Sequence, residues 1–354
     1  MKQIDPACNF GLSRRGFLGL SAGVSAGLAF AANATFTRTT RAALLGDASL
    51  QDSAMNWFAW TKVSPRCWVA QGEGGNVLVI AGENEAIVID AKNAGYGATL
   101  RREAEAVCGK PVKTLINTHH HGDHIGGNYA FTKDCAVMAH QNALPRIASQ
   151  GERLLGGAAR AQKQVSESDK PAKGAVLNDL AAFDGAGYTK NSWNPTKSLG
   201  DSETITIGGI ELQLAHVGNG HTDNDLIIVV PRENVLHGGD LLFNRTWPVI
   251  DLPGGSDTAG WVKGCEKILE LCGEKQRVVI PGHGDIGDRE MAQRQRQMLI
   301  ALRAKAAAAV NSGQSREDFL KRPFDEYAEY QRADVLKPRT LGGVYDEAMR
   351  AAGK

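Results

Sequence analysis

Residues 117–127 read Asn-Thr-His-His-His-Gly-Asp-His-Ile-Gly-Gly. Four potential metal ligands, His119, His121, Asp123 and His124, fall within six positions. A stable core rarely sets several imidazoles and an acid side by side, because each would have to be desolvated and hydrogen-bonded. A bound cation removes that cost by taking up the lone pairs, and imidazole and carboxylate are what zinc takes when thiolates are absent. Residues two apart project to one side of an extended segment, so His119 and His121 can face one ion. Asp123 and His124 follow in a turn allowed by Gly122 and point toward a second position. Ile125 to Asn128 reads as a helix start or turn packed against this site. The bland alternative is a solvated polar loop or an adventitious nickel-binding patch.

The motif sits in a strand context. Cys67–Ala70, Val77–Ile80 and Ala86–Asp90 are short β-branched runs separated by Gly or Asn, so 63–89 reads as a strand meander. Gly95 to Cys108 has helical spacing. Thr114–Asn117 is a buried strand running straight into the histidines, and strand, ligand-bearing loop, then helix is where open sheets place their chemistry. Ala136–Ala139 is a further strand. About 141–200 lacks strong periodicity and reads as a helical and loop insertion that either lids the site or is a surface excursion. Strands return at 204–207, 210–214, 226–230 and 234–237, followed by a helix at 258–272, a strand at 278–280 and helix from Asp285 nearly to the end. Two strand sets, each followed by helix, predict a sheet-on-sheet core with helices outside.

The first 34 residues differ. Ser13-Arg14-Arg15-Gly16-Phe17-Leu18 precedes a Gly-, Ala- and Ser-rich apolar run and then Ala32-Asn33-Ala34. This is the layout of an export signal, and the paired arginines look like a twin-arginine signal, read by machinery that exports folded proteins. The run is too short and too Gly-rich to span a bilayer comfortably. A periplasmic or secreted protein is therefore expected, with no stable membrane span after signal removal, a linker over 35–59, a catalytic domain over 60–311 and a C-terminal helical extension over 312–354. The whole chain carries 40 basic and 39 acidic residues, net +1. Losing Lys2, Arg14, Arg15 and Asp5 removes a net +2, leaving −1. No basic face or block suggests nucleic acid. Cys8 lies in the signal; of the remaining Cys67, Cys108, Cys135, Cys265 and Cys272, none forms a Cys-x-x-Cys pair. The odd number leaves at least one free thiol unless it pairs between chains, and most read as small buried apolar residues.

Three further candidates lie at strand-to-loop edges beside glycine: His221 in Gly220-His221-Thr222, Asp240 in Gly238-Gly239-Asp240 and His283 in Pro281-Gly282-His283-Gly284. Together with His-x-His-x-Asp-His, in this order, they make roughly residues 60–300 resemble the metallo-β-lactamase-fold hydrolase superfamily. The resemblance implies an α+β fold, an αββα sandwich of two mixed sheets with external helices. It implies that His119, His121 and His221 hold one zinc and Asp123, His124 and His283 a second, with Asp240 bridging. Iron or manganese are the alternative metals. The bridging Asp240 matches glyoxalase II and the acyl-homoserine-lactone lactonases better than true zinc β-lactamases, whereas an export signal suits a secreted lactamase. In that family the metals, about 3.5–4 Å apart, share a hydroxide that attacks a small ester, lactone, thioester, amide or phosphoester, with Asp123 and Asp240 as the catalytic carboxylates. Two alternatives stay open: an iron-dependent oxidoreductase like the sulfur dioxygenases, and a β-lactamase proper. His120 is expected to point away from the ligands, and His140, His216 and His237 to be structural. Asn244, Arg245 and Trp247 are candidate substrate-binding residues on a loop after the Asp240 strand, Arg245 for a carboxylate and Trp247 as an apolar wall.

Overall fold

The computed structural model describes residues 56–274 and 277–354. The expected export signal, and the linker up to residue 55, lie outside the described residues. Strands β1 (Ala59–Ser64), β2 (Cys67–Gln71), β3 (Val77–Ala81) and β4 (Ala86–Ile89) form an antiparallel meander. Helix α1 (Gly97–Cys108) then carries the chain across to β5 (Val112–Ile116), which pairs parallel with β4; β6 (Ala136–His140) and β7 (Lys197–Leu199) extend the same sheet in parallel. The second sheet has the order β13-β11-β10-β9-β8, built from β8 (Ser202–Ile207), β9 (Ile210–His216), β10 (Leu226–Val230), β11 (Val235–His237) and β13 (Val278–Ile280). Both sheets are mixed, as the αββα expectation requires.

Side-chain alternation explains the layers. Leu78, Ile80, Ile87 and Ile89 point inward and meet Leu212, Leu214, Leu226 and Ile228 of the opposite sheet. Their neighbours Val77, Val79, Ala86 and Val88 point outward beneath Leu100 and Ala104 of α1. Strands buried on both faces must be apolar at every position, which is why these runs do not alternate with polar residues. On the far side, Ile227 and Val229 pack against α7 (Thr258–Cys272) and α8 (Arg289–Asn311). Asp257 caps α7 by accepting from the Ala259 and Gly260 N–H groups, and Asp288 caps α8 through Glu290 N–H. Helix therefore begins at Arg289, four residues later than expected from Asp285, because β14 (His283–Gly284) and the Asp288 cap occupy the interval.

After β5 comes the single turn α2 (Gly122–Ile125), and the 141–200 insertion is mostly helical: α3 (Ala143–Ala148), α4 (Gly151–Leu155), α5 (Gly157–Ser166) and α6 (Lys173–Gly185), then β7. The C-terminal extension forms α9 (Arg316–Leu320) and α10 (Ala333–Ala351), with α10 packed along α8. The folded domain starts before residue 60: Trp57 and Phe58 are buried, and the Trp57 N–H donates to Glu103 at 2.7 Å. The last residues of the expected linker thus belong to the sandwich. All five cysteines among the described residues are free thiols. Burial pushes Cys67 up to about 12 and Cys135 to about 11, which keeps them as inert packing groups. No helix among the described residues is long and apolar enough to cross a membrane.

Trp193 locks the insertion onto the histidine loop. It is fully buried, donates Nε1–H to the Gly126 carbonyl at 2.7 Å, and its own carbonyl accepts from Asn128 Nδ2 at 3.0 Å. Trp193→Ala is expected to cost roughly 3–5 kcal/mol, the range for emptying a large aromatic site, read as a lower urea midpoint. Trp193→Phe should cost distinctly less. An alanine variant within about 1 kcal/mol of wild type, well below that aromatic-truncation range, would show that the insertion is not anchored there.

Candidate metal centre

The ligand-type residues all sit at one edge of the sandwich, each just past a strand: His119 to His124 after β5, His221 between β9 and β10, Asp240 after β11 and His283 after β13. His119, His121, His221 and Asp240 bring one ligand atom each within 4.8 Å of one another, and Asp123, His124 and His283 form a second such group. Asp240 lies between them. One of its oxygens is 3.1 Å from His124 Nε2; the other is 3.3 Å from His221 Nε2, 3.5 Å from His283 Nε2 and 3.8 Å from His119 Nε2. Asp123 reaches His283 Nε2 at 3.1 Å and His124 Nε2 at 3.7 Å. The structure therefore assembles the seven residues singled out in the sequence into two adjoining clusters.

For His119, His121 and His124 the inner nitrogen is aimed by what the outer nitrogen binds. His124 Nδ1 is 2.7 Å from Asp90 Oδ2, so its N–H donates there and Nε2 is the nitrogen that would be free for a cation once the ring is neutral. Thr118 Oγ1 donates to the same Asp90 oxygen at 2.8 Å and so accepts from His119 Nδ1 at 3.0 Å. His121 donates Nε2–H to Asp251 at 2.9 Å, which turns its Nδ1 toward His221 Nε2, also 2.9 Å away. Carboxylate or hydroxyl behind imidazole is the arrangement that orients metal-binding histidines. His119 Nε2, His124 Nε2 and Asp240 Oδ1 are buried with no hydrogen-bond partner among the described residues. Orphaned acceptors of this kind are costly, and a cation between them satisfies all three. The donor set of imidazole nitrogen and carboxylate oxygen suits zinc, and iron or manganese as well.

The charge pattern agrees. Burial works against charging His283, but Asp240 and Asp123 raise it to about 9. Burial likewise opposes protonation of His124, and Asp240, Asp123 and Asp90 outweigh it. His221, pressed by burial, falls to about 3, and burial together with His124 holds His119 well below its ordinary value. Despite burial, the neighbouring imidazoles hold both Asp123 and Asp240 below the usual carboxylate range. The cluster thus keeps its carboxylates ionised and, without a cation, must neutralise them with protons on His124 and His283. Cation binding would displace those protons.

Close backbone approach completes the site. A methyl on Gly75 would collide with the His124 ring, and one on Gly282 with the Asp240 carboxylate. Buried Lys92, lowered to about 7 by burial, donates to the Ala70 and Gly75 carbonyls at 2.8 Å and so fixes the loop against His124. His237 accepts from Gly239 N–H at 3.1 Å and bonds the Asn76 carbonyl at 3.1 Å, buttressing the Asp240 turn. His120 bonds Asn224 at 2.9 Å and, with His121 and Asp251, forms a further group whose ligand-type atoms lie within 4.8 Å of one another. His140 and His216 stack on each other 4.0 Å apart, with Asp201 bonded to His140.

The three substrate-binding candidates are placed differently. Trp247 is buried among Phe324, Tyr327 and Tyr330, so it braces the C-terminal extension and cannot wall the site. An aromatic on a polar loop reads as exposed until the extension that covers it is known. Arg245 is exposed and reaches Glu329 at 3.4 Å. Asn244 donates to the Asp285 carbonyl at 2.7 Å from strand β12 (Phe243–Asn244), which pairs with β14 beside His283. Sequence reasoning missed Asp90 and Asp251. Asp90 carries a signal, a carboxylate ending the apolar run Ile87-Val88-Ile89, where a buried charge must have partners. Asp251, on a loop with no motif, carries none.

A sequence model of the Metallo-beta-lactamase superfamily matches residues 70–283. The metallo-beta-lactamase type 2 of Bacteroides fragilis is 30% identical over 105 residues, which cover 30% of this chain and 42% of that protein. The acyl-coenzyme A thioesterase MBLAC2 of Homo sapiens is 23% identical over 247 residues, 65% of this chain and 82% of that one. Among curated relatives the chain spans between 40% and 55% of the length of several that it matches. A metallo-beta-lactamase from Pontibacter korlensis shares the fold, with a TM-score of 0.51 at 19% identity over 68% of this chain and 98% of that one.

If Asp90 and Asp251 aim the imidazoles, Asp90→Asn should weaken zinc affinity roughly 10–100-fold, measured by competition with a chromophoric chelator. Asp251→Asn should weaken only the cation on the His121 side. Unchanged affinity in both variants would show that these carboxylates do not orient the centre.

Proposed function

The chain belongs to the metallo-β-lactamase superfamily, and on that premise we propose that it is an exported two-metal hydrolase of a small ester, lactone, thioester, amide or phosphoester. The carrying observation is Asp240 set between two imidazole-and-carboxylate clusters in which His119 Nε2, His124 Nε2 and Asp240 Oδ1 are buried without a hydrogen-bond partner among the described residues. His119, His121 and His221 would hold one divalent cation, and Asp123, His124 and His283 the other, with Asp240 common to both. Two zinc ions there would supply a water acidic enough to act as nucleophile at neutral pH, and positive charge for the oxygen under attack.

The remaining work falls to the chain. Asp123 is ionised and partly open to solvent. It is the available acceptor for a proton leaving the attacking water, and His283, bonded to it at 3.1 Å, steadies its orientation. Asp240 neutralises charge between the clusters and, tied down by Gly282 N–H bonding the Gly239 carbonyl at 2.7 Å, fixes their separation. Asp90, Thr118 and Asp251 keep the imidazoles in the tautomers that present lone pairs inward. Relatives named as a lactamase and a thioesterase support acyl transfer to water as the reaction class. Export through the twin-arginine route rests on the Ser13–Leu18 motif and suits a protein that folds with reduced thiols before crossing the membrane.

Protein purified without added metal is expected to carry two zinc ions per chain and to turn over at least one member of a panel of nitrocefin, lactones, thioesters and phosphodiesters. His121→Ala should lose a cation and at least about 100-fold in kcat/KM, as losses at preorganised catalytic groups run. Full turnover with full metal in that variant would discard the site. Bound iron with substrate-dependent oxygen uptake would replace hydrolysis by the oxidoreductase reading. Replacing Arg14 and Arg15 by Lys should strand the protein in the cytoplasm; unchanged export would remove the twin-arginine assignment.

A further inference from the structure

A cleft of about 600 Å³ opens over the Asp123 and His283 side of the centre. Its floor is made by those two residues, and its walls carry four arginines: Arg153, Arg160, Arg332 and Arg339. Arg153 and Arg160 come from the consecutive insertion helices α4 and α5, and Arg332 and Arg339 from the start of α10 in the C-terminal extension. Both members of each pair reach the same cavity. The two pairs face the cleft from elements far apart in the sequence.

Their positions are held from behind. The Arg153 guanidinium lies against the backbone of Gly122, between His121 and Asp123, and is braced by Gln150. Arg332 sits in the left-handed backbone region (φ 56°, ψ 30°), where a non-glycine residue is uncommon. Just before it, the Gln331 N–H donates to the Arg245 carbonyl at 2.8 Å, and Gln331 bridges to Thr246, which pins the start of α10 to the strand beside His283. None of the four guanidinium groups has a carboxylate within 4.0 Å among the described residues. Several other surface arginines are paired, Arg101 with Asp134, Arg146 with Asp223, Arg296 with Glu266 and Arg316 with Asp346, whereas the four at the cleft are unpaired and line one cavity together. The nearby acid Glu73 is engaged by Gln164 across the rim at 2.6 Å.

We propose that this cleft binds the anionic part of the substrate, so that the enzyme acts on molecules carrying a carboxylate or phosphate group away from the bond that is cleaved. This rests on the hydrolase reading above and adds the substrate class to it. Unpaired guanidinium groups converging on one cavity repel one another, and an oxyanion relieves that repulsion while accepting paired N–H donors. An anion held by the arginines places the neighbouring acyl or phosphoryl group over Asp123 and His283. The four arginines come from the insertion and the extension, whereas Gly74, Asn93, Tyr96 and Gly122 of the sandwich loops line the rest of the cleft, so the charge that would select the substrate is carried apart from the ligand set.

The test uses the full zinc-loaded protein and the double variant Arg332→Ala/Arg339→Ala, both exposed positions. Calorimetry with glutarate and with glycerol 3-phosphate reads anion binding without turnover. Binding by either supports the proposal when the double variant weakens it at least 10-fold, and the tighter of the two identifies carboxylate or phosphate as the group recognised. Hydrolysis of mono-p-nitrophenyl glutarate against p-nitrophenyl butyrate reads selectivity. The wild type should favour the anionic ester in kcat/KM by at least 10-fold, chiefly through KM, and the double variant should lose that ratio. Arg350→Ala, on α10 outside the cleft, should keep it. Binding by neither anion, or full binding or an unchanged ratio in the double variant, overturns the proposal. Anion binding that depends on the arginines with no hydrolysis of any ester would leave the cleft standing and remove the hydrolase reading instead. Hydrolysis indifferent to charge would do the reverse.

Discussion

An imidazole aims a bare nitrogen at a cation when the proton on its outer nitrogen has an acceptor waiting behind it. Three of the five imidazoles at this centre are held in that way. His124 leans on Asp90, His119 on Thr118, which itself leans on Asp90, and His121 on Asp251. Asp90 immediately follows β4, Thr118 follows β5, and Asp251 comes from the loop beyond β12, so neither sheet alone can build the centre. The apolar interface between the sheets, with Leu78 and Ile80 against Leu212 and Ile228, brings the edges together. The Gly75 and Gly282 backbones then close in where no side chain would fit.

Those apolar runs are also what made the fold readable. β3, β4 and β10 are buried at every position, and a run of Val, Ile and Leu bounded by glycine or a polar residue announces such a strand from local sequence alone. Helices α1 and α7 announce themselves by spacing. The three-residue strand β7 does not, since two of its residues are exposed and its only claim to be a strand is pairing with β6. Ligand residues were readable because chemistry limits them: imidazoles and acids beside glycine, at strand ends, have few other reasons to recur. Residues that work through a partner were harder. Asp251 gains meaning only from His121, which is 130 positions away. Trp247 looked like a pocket wall because the residues that bury it, Phe324, Tyr327 and Tyr330, lie in an extension without a motif.

The same distinction divides the site into two parts with different physics. At the centre, short-range demands dominate: lone-pair direction, tautomer and the cost of an unpaired buried acceptor leave almost no freedom in residue type. In the cleft above, the forces are longer in range and softer. A guanidinium can serve an anion from several positions, and salt attenuates it over about 10 Å. Arginine positions can therefore differ in sequence without disturbing the metal ligands, and a helix insertion or a terminal helix is sufficient to carry them. Arg153 touches both parts, because its guanidinium rests on Gly122 in the middle of the histidine motif. A side chain at Gly122 would push it away, so the glycine that precedes Asp123 and His124 in the motif leaves room for the guanidinium that faces the cleft. One small residue thus couples where the charge is held to where the reaction would occur.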